Sequence, residues 1–316
     1  MKIFPIGFLR TSTAVPPPYL PMVWTSRAVP AGYQWNEVIF DGTKFVMGGS
    51  IGASGGGAIA MSNDGINWTV QSVTGLAAAA SITDIAFGNG MYVATYLSGA
   101  NSRVFYSSNG VNWTMASTPV QEPWTRATFV NGRFTVFSNP TSGFGGITST
   151  NGTSWSTISI SPTTSWQRVA FGNGVMVATK VVSPEHIATS TNGTNWANQF
   201  TGIPDNQWYD VTFSSSLGLF VSVAQSGTNR IMTSPNGITW TSILAPAANQ
   251  WRVVTANGPV LVALAVSGTD RIMVSSDAVT WQLVTAPVAA IWNSIAVGNG
   301  LYVALAVGNS MTAPTS

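Results

Sequence analysis

The heptamer SNDGINW at residues 62–68 decides the fold of this chain, because variants of it return throughout the sequence. Five further copies read SSNGVNW, STNGTSW, STNGTNW, SPNGITW and SSDAVTW. Every copy ends in Trp, and one more Trp near the N terminus keeps the spacing. These Trp residues lie 41–45 residues apart, at Trp24, Trp68, Trp113, Trp155, Trp196, Trp240 and Trp281. A period of this size is typical of stacked units that bury their apolar faces against one another.

A second family of Trp residues opens each repeat, and the segments between the two families read as four short strands, a to d. The second family is Trp35, Trp124, Trp166, Trp208, Trp251 and Trp292, with Ile82 in the remaining place. Gly-Asn-Gly joins strands a and b in three repeats, and Asn-Gly or Asp-Gly closes most c–d hairpins, because these residues tolerate positive φ. Four-stranded repeats of about 40–45 residues are typical of β-propeller blades.

The two ends of the chain predict how the ring closes. The last repeat has strands a and b at 292–306 and runs out near Ser316 without a strand d. MVWTSRAVP at 22–30 closely matches the strand-d segment ITWTSILAP at 238–246. We therefore predict an all-β, seven-bladed β-propeller of four-stranded blades over residues 22–316. Its last blade combines three C-terminal strands with the N-terminal strand 22–30, which removes exposed sheet edges. Residues 1–21 are predicted to be a docking arm outside the ring.

Composition excludes several classes of function. The net charge is +2, charged residues make up 7% of the chain, and no basic run is present, so we expect no nucleic-acid partner. No apolar run reaches the roughly 18 residues of a membrane span, so we expect no membrane insertion. Pro5 and Gly7 interrupt the apolar start of the chain, which makes a poor secretory signal. With no Cys and a single His, His186, we expect no metal and no other cofactor.

The heptamer with its Trp resembles the Asp-box, or BNR repeat, of sialidase-like propellers. Residues 62–68 are the closest copy. Asn replaces Asp in four copies, at Asn109, Asn151, Asn192 and Asn236. In that family the box is a structural turn remote from the active site, so the resemblance implies a fold and no chemistry. The degenerate, Asn-rich repeat is also similar to propellers of tailed-phage virion proteins.

Candidate catalytic groups are few. Glu37, Asp84 and Asp210 share one column, two residues after the first Trp position, and a glycosidase needs two carboxylates about 5–10 Å apart. We interpret these acids instead as charges at the rim of the central channel of the propeller. There they would pair with Arg126, Arg168 and Arg252, which lie in or beside that column. His186 occupies the place that Arg103, Arg230 and Arg271 take in other repeats, and we interpret this variable polar position as a solvated loop end and not as a general base. We therefore predict that the chain is not an enzyme, with a sialidase-like glycoside hydrolase as one alternative.

The face that carries the b–c loops and d–a connections varies most in sequence, and variable loops on a rigid scaffold are where recognition usually resides. Flat aromatic rings beside polar groups suit sugars. The predicted ligand-binding residues on this face are Trp124, Trp166, Trp208, Trp251, Arg126, Arg168 and Arg252. The competing interpretation is that these Trp rings only wedge between blades.

These observations together predict a non-enzymatic structural or adhesion protein of a virion. The first hypothesis is a phage tail-fibre or tail-tip adhesin that binds a host surface glycan. The alternative is a structural connector or decoration protein of a viral particle. In either case we expect the arm to dock other virion proteins through Phe4, Phe8 and Tyr19. The predicted location is the virion, assembled in the host cytoplasm.

Overall fold

The computed structural model describes most of the chain, and the described residues form strands, turns and loops. Those residues are 2–7, 22–52, 55–76, 81–97, 102–138, 145–161, 163, 166–181, 186–200, 202–203 and 206–307. Every sheet has four strands, and every pairing between named strands is antiparallel. This arrangement follows from the sequence, in which short strands of two to eight residues alternate with turns that contain Gly and Asn.

Six blades are each built from consecutive strands. At the N terminus β1 spans Lys2–Gly7 and β2 spans Arg27–Ala28. The first blade comprises β3 (Tyr33–Phe40), β4 (Phe45–Ile51), β5 (Gly57–Ser62) and β6 (Thr69–Val70). The second comprises β7 (Ser81–Gly88), β8 (Met91–Leu97), β9 (Arg103–Ser107) and β10 (Thr114–Met115). The third comprises β11 (Trp124–Val130), β12 (Arg133–Ser138), β13 (Gly146–Ser149) and β14 (Ser156–Thr157).

The remaining contiguous blades follow the same pattern. The fourth comprises β15 (Trp166–Gly172), β16 (Val175–Lys180), β17 (Ile187–Ser190) and β18 (Ala197–Gln199). The fifth comprises β19 (Trp208–Ser214), β20 (Leu219–Ala224), β21 (Ile231–Ser234) and β22 (Thr241–Ile243). The sixth comprises β23 (Trp251–Asn257), β24 (Val260–Ala265), β25 (Ile272–Ser275) and β26 (Gln282–Val284). The last two strands are β27 (Ile291–Gly298) and β28 (Leu301–Val307).

The two ends of the chain share a composite sheet with the strand order β2-β1-β28-β27. In β1, Ile3 lies opposite Leu305 and Gly7 lies opposite Leu301. The inner strands contact one another in the order β3, β7, β11, β15, β19, β23, β27 and back to β3. Because the composite sheet lies between the sixth and the first blade, it closes the ring.

The structure confirms an all-β propeller with four-stranded blades, and it corrects the predicted ends. Six of the predicted units are contiguous blades. The composite sheet contains two C-terminal strands and two N-terminal strands rather than three and one. β2, within the predicted strand 22–30, takes the outer edge, but Lys2–Gly7 forms the next strand inward and is not part of an arm. The physical reason is that β28 has a second edge, whose backbone groups β1 satisfies. Phe4 therefore lies in a strand, whereas Phe8 and Tyr19 lie outside the described residues.

The repeated heptamer forms a turn held by one side-chain oxygen. Asp64 Oδ1 accepts hydrogen bonds from the backbone N–H of Ile66 at 2.8 Å and of Asn67 at 2.7 Å. The indole N–H of Trp68 donates to the carbonyl of Gly65 at 3.3 Å. The same bonds recur in the other copies, around Asn109, Asn151, Asn192, Asn236 and Asp277. Asn and Asp are interchangeable here because each offers an Oδ1 acceptor.

Candidate binding cavity at the channel mouth

Each inner strand carries a β-bulge directly after its first Trp position. The pairing register shifts between Trp35 and Glu37 in β3, and the equivalent shift occurs in all of the other inner strands. A bulge leaves one residue unpaired and re-aims its side chain. The bulged residues that line one common cavity are Asn36, Thr83, Thr125, Gln167, Tyr209, Arg252 and Asn293. The repeat of the fold thus places one side chain from every sheet around the same space.

The cavity has a volume of about 490 Å³ and lies where the inner strands begin. Its wall also contains Arg126, Ser138, Trp166 and Val181. Ser138 ends the second strand of its blade, and Val181 follows Lys180, which ends the second strand of the next. The cavity therefore opens toward the b–c loops and d–a connections, the face that the sequence predicted for recognition.

The four predicted Trp residues do not present flat aromatic surfaces to a sugar, and this part of the prediction is wrong. Trp124, Trp166, Trp208 and Trp251 each have 0% exposed surface. Each ring packs between its own blade and the preceding one, as Trp208 does against Ala170, Val177 and Ile187. Burying a large aromatic ring between two sheets is more favourable than leaving it in water. Even Trp166, which lies in the cavity wall, presents no exposed ring to a sugar.

Below the cavity, Arg168 joins three blades through buried carboxylates. Its Nη2 lies 2.8 Å from Glu37 Oε2, and its Nη1 lies 2.8 Å from Asp84 Oδ2. Arg126 Nη1 is 3.8 Å from the same Asp84 oxygen. Burial alone lowers the pKa of Arg168, but the charges of Asp84 and Glu37 outweigh burial and raise it. Arg168 is therefore a structural cation across the channel and not a free ligand-binding group, which corrects its predicted role.

Both oxygens of Glu37 and of Asp210 have partners within the protein. Glu37 Oε1 accepts a hydrogen bond from Ser294 Oγ at 2.6 Å, and burial raises the pKa of Glu37 to about 7 against the opposing charge of Arg168. Asp210 accepts hydrogen bonds from the backbone N–H of Val211 at 2.8 Å and of Val254 at 2.9 Å. Burial raises the pKa of Asp210 to about 6. Neither carboxylate lines the cavity.

Arg252 differs from Arg168 in its surroundings. Its guanidinium carbon lies 5.1 Å from the centre of the Tyr209 ring, and both residues line the cavity. Among the described residues, no carboxylate oxygen lies within 4.0 Å of the Arg252 guanidinium. Burial lowers the pKa of Arg252, and the positive charge of Arg126 lowers it further. Of the predicted site residues, Arg252 and Arg126 therefore line the cavity together with the buried Trp166.

The uncharged residues at the bulges were not predicted from the sequence. They are Asn36, Thr83, Thr125, Gln167, Tyr209 and Asn293. A usable signal was present, because each follows the first Trp position and this place varies among polar residues while its neighbours repeat. The interpretation of His186 as a solvated loop end is wrong, because its side chain is buried, with Nδ1 3.3 Å from the carbonyl oxygen of Lys180, and it does not line the cavity.

The described residues contain no group of three or more His, Asp and Glu side chains arranged to hold a metal ion. They also contain no helix of the length and apolar character required to cross a membrane.

No family model and no curated protein matches this chain. Solved structures do resemble it. Catalytically inactive virginiamycin B lyase from Staphylococcus aureus, solved with quinupristin, has a TM-score of 0.71 at 12% identity, covering 89% of this chain and 97% of that one. YCF48 from Cyanidioschyzon merolae has a TM-score of 0.62 at 12% identity, covering 88% and 97%. The GH74 xyloglucanase from Xanthomonas campestris has a TM-score of 0.67 at 14% identity, covering 90% and 52%. At these identities the likenesses show a β-propeller fold alone.

Proposed function

We propose that this chain is a non-enzymatic adhesion protein of a virion, a phage tail-fibre or tail-tip component that binds a host surface glycan through the b–c/d–a loop face. The observation that carries the proposal is the cavity at the channel mouth. Every sheet contributes one bulged side chain to it, and these side chains offer amide, hydroxyl and guanidinium groups. A rigid ring of varied hydrogen-bonding groups suits a ligand whose edges are hydroxyl groups.

Two amides of the cavity are held in fixed orientations. Asn36 Nδ2 donates to the carbonyl of Ile82 at 2.7 Å and to Ser81 Oγ at 3.0 Å. Asn293 Nδ2 donates to the carbonyl of Asn36 at 2.8 Å. Because each amide nitrogen bonds to a neighbouring sheet, the amide oxygens are available as preorganised acceptors for sugar hydroxyls. Preorganised groups lose less entropy when a ligand binds.

A binding role fits the placement of the carboxylates better than hydrolysis does. A glycosidase of the usual kind requires two carboxyl groups facing the scissile bond. Glu37 and Asp84 bond to Arg168 beneath the cavity, and Asp210 bonds to backbone N–H groups. The GH74 xyloglucanase and virginiamycin B lyase are enzymes, but their likeness to this chain concerns the fold only. A sialidase-like glycoside hydrolase remains the alternative that a hydrolysis assay tests.

The virion assignment draws on the repeats. The box turns around Asp64 and its equivalents support a degenerate Asp-box propeller, of the type that resembles tailed-phage proteins, with the composite sheet as its seventh and closing blade. We propose other virion proteins as partners, with Phe8 and Tyr19 as the remaining docking candidates. A structural connector or decoration protein would have its loop face covered in the particle. Mass spectrometry and a density map of purified virions would locate the chain and decide whether that face is exposed.

The binding proposal is tested with the purified full chain on an array of bacterial surface glycans. We expect binding that Gln167→Ala and Tyr209→Ala each weaken by about tenfold, the effect of losing a contact worth about 1.4 kcal/mol. Ile238→Ser is the control, because Ile238 is 50% exposed on a box turn at the opposite face. Absence of binding to every glycan would contradict the adhesin. Release of reducing sugar from a bound glycan would favour the sialidase-like glycoside hydrolase over the adhesin.

A further inference from the structure

We infer that the saccharide bound at the channel mouth carries a carboxylate group, and that Arg252 and Arg126 hold this group. This inference rests on the proposed glycan-binding function and narrows it to acidic saccharides, such as those that contain uronic acids. The inference is based on the positions of the charged side chains in and below the cavity.

Arg252 is half-buried, lines the cavity, and has no carboxylate within 4.0 Å among the described residues. A guanidinium withdrawn from water without an acidic partner is unfavourable, and a bound anion relieves that cost. The Tyr209 ring, 5.1 Å from the guanidinium carbon, provides a flat surface for the guanidinium. Such packing restrains the planar fork that binds a carboxylate through two parallel hydrogen bonds.

Arg126 also lines the cavity. Among the described residues, the one carboxylate within 4.0 Å of its guanidinium is Asp84, at 3.8 Å. That contact uses Asp84 Oδ2, the oxygen that Arg168 already approaches to 2.8 Å. Asp84 therefore pairs closely with Arg168 and only distantly with Arg126. Most of the N–H donors of Arg126 remain for a ligand.

The acids below the cavity bond to other groups, although Glu37 attracts Arg126 and Arg252 at longer range and Asp210 attracts Arg126. Glu37 contacts Arg168 and Ser294, and both oxygens of Asp210 accept backbone hydrogen bonds. Against the smaller opposing effects of Tyr209 and Glu37, burial and the repulsion between Arg252 and Arg126 lower the pKa of Arg252. A ligand carboxylate that lies between them removes the repulsion and desolvates no unpaired charge. The amides and hydroxyls around the rest of the cavity then face the sugar ring.

The test compares matched ligands and matched variants. The probes are uronic-acid-containing bacterial capsular polysaccharides, each beside its carboxyl-reduced form, in which –CH2OH replaces –COO⁻ and the ring stereochemistry is unchanged. We expect wild-type protein to bind the acidic form at least about tenfold more tightly, with an affinity that falls as salt is raised. Arg252→Gln should abolish the preference, and Arg252→Lys should restore part of it because the charge returns without the fork.

The control variant is Arg103→Gln. Arg103 begins the strand after a b–c loop, so the variant removes the same charge from the same face, but Arg103 does not line the cavity. It should keep the preference for the acidic form. Equal binding of the acidic and reduced forms, or a preference unchanged in Arg252→Gln, would overturn the acidic-ligand inference and leave the glycan-binding proposal standing. If neutral glycans and acidic polysaccharides alike fail to bind, both proposals fall.

Discussion

Gly172 shows at the residue scale how a repeated sequence position is fixed by the neighbouring blade. A Cβ atom added at Gly172 would lie 2.2 Å from ring carbons of Phe213. The same relation holds between Gly88 and Phe129, and between Gly298 and Phe40. The first Gly of the Gly-Asn-Gly segment therefore exists for close packing between blades. The last Gly of the segment has a different reason, since Gly174 has a φ of +80° and open space around it.

We expect Gly172→Ala to lower the free energy of unfolding by about 1–3 kcal/mol, the usual result of forcing a methyl group into a packed core. The measurement is equilibrium denaturation in urea. Gly174→Ala is the matched comparison, with a cost of about 1–2 kcal/mol from backbone strain alone. Combining Gly172→Ala with Phe213→Leu should cost less than the sum of the two single changes, because the smaller side chain admits the methyl group. Strict additivity would show that the two residues do not compete for space.

The sequence showed that these glycines recur, but not why. Positive φ at turns is a local property, so Gly-Asn-Gly predicted the a–b turns from the residues alone. The contact between Gly172 and Phe213 joins residues 41 positions apart in adjacent blades, and only the assembled ring reveals it. For the same reason the sequence left two interpretations of Trp124 and its equivalents open, and their burial decided between them.

At the scale of the element, the β-bulge explains why the sequence identified only some of the residues that line the cavity. Alternation in a strand predicts that residues two apart share a face. The bulge after Trp35 breaks this alternation, so Asn36 lines the cavity while Glu37 lies below it. No residue type in the inner strands marks a bulge. The column of charges at Glu37, Asp84 and Asp210 was therefore recognised, but the residues just before it were not.

The composite sheet could also be predicted only in part from the sequence. Residues 22–30 were found because they match a strand-d segment elsewhere in the chain, and β2 does occupy the outer edge. KIFPIG at 2–7 matches no other blade and contains Pro and Gly, which are depleted in strands. Its strand character comes from the partner edge that β28 offers and not from its own propensity.

Deleting residues 1–7 tests the role of β1. The deletion leaves one edge of β28 unpaired and leaves β2 without its neighbour, so we expect a lower thermal midpoint and concentration-dependent aggregation through the open edge. Differential scanning calorimetry and light scattering measure the two effects. A synthetic peptide of residues 1–7 should raise the midpoint again, and a scrambled peptide of the same composition should not. A truncated protein as stable as the full chain would show that β1 contributes nothing to ring closure.

At the scale of the whole molecule, the ion cluster of Arg168, Glu37 and Asp84 joins three blades. We expect its buried carboxylates to make the free energy of unfolding depend on pH. Burial raises the pKa of Glu37 from 4.5 to about 7 and that of Asp210 from 3.8 to about 6. Each group therefore holds its proton more tightly in the folded than in the unfolded chain, so these groups stabilise the fold less as pH rises from about 4 to 7. Asp64 acts in the opposite sense, because backbone hydrogen bonds from Asn67 and Ile66 lower its pKa, and its contribution is lost below about pH 4.

Arg168→Gln tests the cluster directly. The change leaves Glu37 and Asp84 buried without their shared cation, which costs about 3–5 kcal/mol when a buried pair loses one partner. The loss should be larger at about pH 7.5 than at about pH 5, because protonation of Glu37 at the lower pH removes one of the uncompensated charges. Denaturation of wild type and variant at both pH values measures the difference. Arg252→Gln is the control, since Arg252 has no acidic partner within 4.0 Å among the described residues, and should lose little stability at either pH. A loss in Arg168→Gln that is the same at both pH values would mean that Glu37 does not titrate within the cluster, and that Arg168 stabilises the ring by packing and not by charge.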